Sequence, residues 1–196
     1  MAFLTKRIYE SKFSFFTLKT LRDILEIKKE STLFSVIKRL LKSEILIKLE
    51  KDKYLLKGEK INDFALANFI YQPSYISFES ALNFYGILSQ FPYEITSATT
   101  KKTAKKIFQG RIFVYTKIKK ELFFGYEKKE NFIIAVPEKA LLDQLYLSSK
   151  GFKRINLDEY DLEDLNISRL KNYLKKYPET RQFKNAINLL KEALKI

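Results

Sequence analysis

The sequence predicts an α+β chain in two modules: a helix–helix–hairpin unit over residues 1–60 and a mixed α/β domain over residues 61–196. Three observations predict it. Near the N-terminus, two short runs with apolar residues at helical spacing are followed by two strand-like runs around a two-residue break. A short polar linker, Lys57-Gly58-Glu59-Lys60-Ile61-Asn62, then interrupts the pattern. Beyond it, β-branched and aromatic runs lie between helical ones. With 46% hydrophobic and 15% aromatic residues, the 196-residue chain can bury real cores.

In the first module, Thr17 is read as the N-cap of a helix carrying Leu18, Leu21, Ile24 and Leu25. Residues 26–30 break the periodicity. Ser31 is read as the cap of a second helix running through Lys42, with Leu33, Phe34, Ile37, Leu40 and Leu41 on its apolar face. Ser31, Ser35, Lys38, Arg39 and Lys42 collect on the opposite face. Such a stripe serves an ordinary amphipathic helix as solvation. It also serves a recognition helix, where long cations reach phosphates and guanine edges and small hydroxyls permit close approach. Next, residues 45–50 and 53–56 flank Lys51-Asp52, the pattern of a β-hairpin, with Asp52 at a position where left-handed backbone is needed. Two helices followed at once by a basic-tipped hairpin favour the DNA-binding alternative, a winged helix-turn-helix with Lys51 and Lys53 on the wing.

In the second module, residues 63–71 read as a helix stopped by Pro73, and Ser77 as the cap of a helix bearing Phe78, Ala81, Leu82, Tyr85 and Leu88. Residues 93–99, 111–118, 121–126 and 131–136 read as strands. Pro137 opens a helix with Leu141, Leu142, Leu145 and Tyr146 on one face. Two amphipathic helices, near residues 165–177 and 180–194, close the chain. Residues 99–106 read as a loop whose four lysines (Lys101, Lys102, Lys105 and Lys106) and three threonines suit backbone phosphates.

Composition narrows the chemistry. With no His and no Cys, the chain has neither strong zinc ligands nor disulfides, and no Ser–His or Cys–His nucleophile. No glycine precedes Lys-Ser/Thr as a phosphate-binding loop requires. The carboxylates Asp158, Glu159, Asp161, Glu163 and Asp164 are read as solvation rather than a cation site. Glu127-Lys128-Lys129 matches the carboxylate–lysine triplet of restriction-type nucleases, but so do two other triplets in this Lys- and Glu-rich chain. The expectation is a protein that is not an enzyme and takes no cofactor or metal.

Formal charge is +14, spread as excesses of +6 over residues 1–72, +5 over 73–150 and +3 over 151–196. A basic excess distributed over a globular chain favours a polyanionic partner, nucleic acid before membrane. Residues 1–7 lack the apolar core of a secretory signal, and the strongest apolar runs, such as residues 132–136, are strand-length. A soluble, cytoplasmic protein is expected.

Four blocks carry a resemblance: residues 73–88, residues 93–106, residues 121–127 and residues 134–143. In this order and spacing, the stretch from about Phe16 to about Ser149 resembles the AbiEi family, DNA-binding antitoxins of bacterial type IV toxin–antitoxin (abortive infection) systems. The resemblance implies a transcriptional repressor that binds inverted repeats in double-stranded DNA upstream of its own operon. It also implies that the C-terminal domain counters a nucleotidyltransferase-like toxin encoded alongside, antagonism that does not require a stable complex. The residues after about Gly151 match none of these blocks. Two alternatives stay open: a nuclease targeted by the winged module, separable by metal-dependent nicking, and a ligand-sensing regulator without a toxin.

Overall fold

A computed structural model describes residues 2–152 and 155–195. The chain divides into two compact units, Met1–Asn62 and Asp63–Ile196, and is α+β throughout, with helices and sheet in each.

The first unit holds helices α1 (Ala2–Glu10), α2 (Leu18–Leu25) and α3 (Glu30–Lys42) and strands β1 (Phe15–Thr17), β2 (Leu46–Glu50) and β3 (Lys53–Leu56). The strands form an antiparallel sheet in the order β1-β3-β2. Thr17 is the N-cap of α2, its hydroxyl accepting from the Thr20 amide at 3.1 Å. The α2 helix stops because Glu26 turns left-handed (φ 55°), which lets the Glu26 and Ile27 amides reach the Asp23 and Arg22 carbonyls. The same device, built on Glu44 (φ 56°), ends α3. In the β2–β3 turn, Asp52 takes the left-handed conformation expected of it, with φ 58°. Its carbonyl accepts from the Leu18 amide at 3.0 Å, tying the hairpin tip to the start of α2. Ile8, Phe16, Leu21, Leu33, Leu40 and Leu46 lie at the centre of the core.

Three readings of this unit need correction. Helix α1 and strand β1 lay outside the expected elements. Ser31 is not the cap of α3: the cap lies two residues earlier, at Lys29, which holds the extended position without a side-chain bond, and Glu30 meets the helix dipole. Phe34 is not in the core. Buried Leu33, Val36, Ile37 and Leu40 define the inner face, and Phe34 falls on its shoulder, 44% exposed.

The second unit is built on a six-stranded sheet. Its strands are β4 (Ser74–Ile76), β5 (Ile95–Thr99), β6 (Ala104–Phe108), β7 (Arg111–Lys117), β8 (Tyr126–Lys129) and β9 (Phe132–Ala135), in the order β6-β7-β5-β4-β9-β8. The β4/β9 and β5/β7 pairs are parallel and the others antiparallel. Its helices are α4 (Asp63–Ile70), α5 (Phe78–Phe84), α6 (Pro137–Ser149), α7 (Ile167–Leu174) and α8 (Arg181–Leu194).

Register fixes which helix lies on which face. Tyr75 pairs with Ala98, whereas Tyr115 pairs with Ser97, so the two tyrosines point to opposite sides. The Tyr115 hydroxyl donates to the Ala67 carbonyl on α4 at 2.7 Å. The Tyr75 hydroxyl donates to Asp143 on α6 at 2.9 Å. Helix α4 therefore covers one face and α6 the other. Helix α5 joins α6 there, because Thr96, on the same side as Ala98, accepts from the Ser80 amide.

Two strand assignments also change. Residues 121–126 are not a strand: Lys120–Leu122 form a 3-10 turn, and the edge strand starts at Tyr126. Residues 99–106 are not one loop, since Thr99 ends β5 and Ala104–Phe108 pair with β7, leaving residues 100–103 as the connection. The adjacent lysines Lys105 and Lys106 hid this strand, because its half-exposed edge position needs no apolar face.

Candidate nucleic-acid interface

Helix α3 presents Ser31, Ser35, Lys38, Arg39 and Lys42 as a continuous exposed stripe, set opposite Leu33, Val36, Ile37 and Leu40 in the core. Among the described residues, none of Lys38, Arg39 and Lys42 has an acidic partner. The acids that flank the helix are spent elsewhere. Glu26 pairs with Arg7, and Glu44 with Lys57, and each hydrogen-bonded cation holds its carboxyl below the ordinary range. The stripe is thus a positively charged surface with no internal neutralisation, available to phosphates. Ser35 donates to the Ser31 carbonyl at 2.9 Å, so its oxygen keeps lone pairs free for an incoming donor. Phe34 flanks the stripe and adds an apolar surface that the periodicity alone did not assign to this side.

At the hairpin, Lys51 is exposed at the turn and Lys53 is half-buried at the start of β3. Lys51 extends the basic surface of this unit; Lys53 contributes its charge from a more constrained position.

The lysines of the second unit do not act as one group. Lys101 and Lys102 are exposed in the connection after β5, with the Lys101 ammonium 5.6 Å from the Tyr71 ring centroid. Lys105 and Lys106 are consecutive in β6 and so point to opposite faces. Lys105 pairs with Glu94 at 2.6 Å. Two of the three threonine hydroxyls are also committed: Thr99 donates to the Pro73 carbonyl at 2.7 Å, and Thr103 accepts from the Lys117 amide at 3.1 Å. Lys101 and Lys102 remain the better phosphate candidates.

A buried polar network in the second unit escaped the sequence reading, which saw helix α6 only as an amphipathic helix. Residues Glu138 through Tyr146 are all buried. Lys139 and Asp143, one turn apart and both fully buried, form an ion pair. Asp143 Oδ1 also accepts from the Tyr177 hydroxyl at 2.8 Å, and its Oδ2 accepts from Tyr75 and Ser77, both at 2.9 Å. The Ser77 hydroxyl is committed here instead of capping α5. Lys139 donates to the Tyr177 hydroxyl at 2.8 Å, and its ammonium lies 4.9 Å from the Phe124 ring centroid. Gly125 (φ 69°) permits this enclosure, because a Cβ there would meet the Tyr173 ring at 3.0 Å and the Lys139 stem at 3.1 Å. Two further pairs complete the helix: Gln144 donates to Glu79 at 2.6 Å, and Glu138 accepts from the Asn166 amide and from Arg169. The signal in the sequence was charge at helix-interior positions flanked by leucines, which reads equally well as a solvated face.

Burial pushes the Lys139 pKa down, with Asp143 opposing it. Burial, then the Asp143 charge, pushes Tyr75 and Tyr177 well up, and burial pushes Tyr160 up to about 12. For a tyrosine raised above its ordinary value of 10.0, the native state keeps its proton longer than the unfolded state. Its contribution is complete below pH 10 and is lost as pH rises through the folded value. Lys139 acts with the opposite sign, but only below its ordinary 10.5. Stability of the full chain should therefore fall steeply above about pH 10, with the buried tyrosines ionising together with unfolding. Tyrosinate absorbance followed beside circular dichroism checks this; ionisation of every tyrosine in advance of unfolding would contradict it.

Glu127 pairs with Lys129 at 2.9 Å and accepts from Tyr85. Among the described residues, no three His, Cys, Asp or Glu side chains are grouped to hold a metal ion, and no helix is long and apolar enough to cross a membrane. Compared with models of known protein families and with curated proteins, the chain matches none.

Proposed function

We propose that the chain is a DNA-binding transcriptional repressor whose first unit is a winged helix-turn-helix, with α3 as recognition helix and the β2–β3 hairpin as wing. The observation that carries the reading is the exposed, unneutralised stripe of Ser31, Ser35, Lys38, Arg39 and Lys42 on a helix followed at once by a basic-tipped hairpin. An α-helix fits the major groove, and cations at successive turns meet phosphates and base edges there. The +14 charge supports a polyanionic partner. The four sequence blocks support the more specific reading: an antitoxin that binds inverted repeats in its own promoter and counters a nucleotidyltransferase-like toxin.

The test is competition between a duplex from upstream of the coding region and a random duplex of equal length. The reading predicts roughly 10³-fold or greater preference for the upstream duplex at physiological salt. Equal affinity for both duplexes would remove the repressor assignment and leave a non-specific DNA binder.

Lys101 and Lys102 position rather than read. Replacing both with alanine should weaken upstream and random duplexes by similar factors, and flatten the salt dependence by about 0.9 in slope for each phosphate no longer neutralised. An unchanged slope in a salt titration returns them to solvent.

A further inference from the structure

Helices α7 and α8 enclose an open groove of about 430 Å³. Its floor is apolar, made by Leu174, Pro178, Phe183 and Ile187 with Tyr177. Lysines stand on both walls: Lys171 and Lys175 on the α7 side, Lys184 and Lys191 on α8. We propose that this groove docks an acidic amphipathic helix of a partner protein. The groove stands apart from the DNA-binding reading, since the proposed DNA interface uses none of its residues.

Charge points first to an acidic partner. Among the described residues, Lys171, Lys175 and Lys191 have no acidic partner, while Lys184 pairs at 2.8 Å with Glu179, whose side chain is 82% exposed. That exposed pair exchanges readily for a stronger partner. Spacing then points to a helix. Lys171 and Lys175 are separated by about 6 Å along their helix direction, and Lys184 and Lys191 by about 10.5 Å. One phosphate cannot bridge such distances, whereas carboxylates at i, i+4 and i+7 of a facing helix repeat them. The floor favours a protein, because a nucleic-acid backbone has no use for an apolar surface between the cations. Leucine-type anchors at helical spacing would fill it. The floor is also pre-formed: Tyr177 stacks on Phe183 at 5.3 Å and is fixed from behind by its hydrogen bond to Asp143. Little ordering therefore opposes docking.

The experiment uses the full chain and a fluorescein-labelled helical peptide with Leu at i, i+3, i+4 and i+7 and Glu between. Fluorescence anisotropy should show binding, and amide shifts should localise it to α7 and α8. The exposed triple variant K171E/K175E/K191E should bind the peptide about tenfold or more weakly while keeping its thermal midpoint and its affinity for the upstream duplex. Polyglutamate of equal charge binding as tightly as the peptide would overturn the proposal, as would wild-type peptide affinity in the triple variant or no peptide binding at all. A matching loss of duplex affinity in the triple variant would assign the groove to nucleic acid instead. Loss of upstream-duplex recognition in the wild-type chain would refute the repressor reading and leave this one intact.

Discussion

Replacing Asp143 with alanine should cost the second unit about 3–5 kcal/mol, the largest single-site effect expected in the chain. The carboxylate accepts from Lys139, Tyr177, Tyr75 and Ser77, and every one of these partners is buried. Its removal leaves an ammonium without a counter-charge and hydroxyls without acceptors in a site that water does not reach. Because a domain is stable by only about 5–15 kcal/mol, much of the unit's margin goes with it. Apolar replacement of both ions, Lys139→Met with Asp143→Leu, should cost far less than the single change, since no charge is left unpaired. Urea unfolding read from tyrosine fluorescence suits a chain that has 12 Tyr and no Trp. A wild-type midpoint in Asp143→Ala would show that the network contributes nothing to stability.

The second large effect belongs to the proposed DNA binding. Changing Lys38 and Arg39 together to alanine should lower affinity for the upstream duplex by about 1–3 kcal/mol for each base that the helix ceases to read. The two side chains are exposed on α3 and have no partner among the described residues, so the unit keeps its core and its midpoint. Affinity for random DNA should fall less, by the phosphate share alone, and the preference between duplexes should narrow. A mobility shift indistinguishable from wild type would remove α3 from the interface.

The legible parts of this chain are those where one local signal decided the structure. Thr17 and Pro137 begin helices as their capping chemistry dictates, and Asp52 takes the left-handed turn position that the hairpin requires. The α3 stripe was readable because its cations and its core residues alternate with helical period. What failed depended on tertiary context. Strand β6 reads as a lysine-rich loop because an edge strand needs no apolar alternation, and only its pairing with β7 makes it a strand. Ser77 looks like a cap, but its hydroxyl turns to a carboxylate that lies 66 residues away in sequence. Helix α6 looks half-solvated because Glu138, Lys139, Asp143 and Gln144 are polar. Each is nonetheless paired inside the fold: Lys139 with Asp143, Gln144 with Glu79, and Glu138 with the Asn166 amide and Arg169. Periodicity cannot distinguish a paired buried charge from a solvated one.

The central claim is that α3 lies against bases, and the absence of cysteine from the chain permits a direct test. Ser35→Cys places a unique thiol mid-stripe, exposed and flanked by Ser31 and Lys38. An iron chelate tethered there cleaves DNA within its short reach. The account predicts cuts clustered inside each repeat of the upstream duplex, none at defined positions on random DNA, and weaker cutting from a tether at Lys102→Cys spread along the backbone. Defined cuts from Lys102→Cys with none from Ser35→Cys would contradict it and move recognition of DNA out of the first unit.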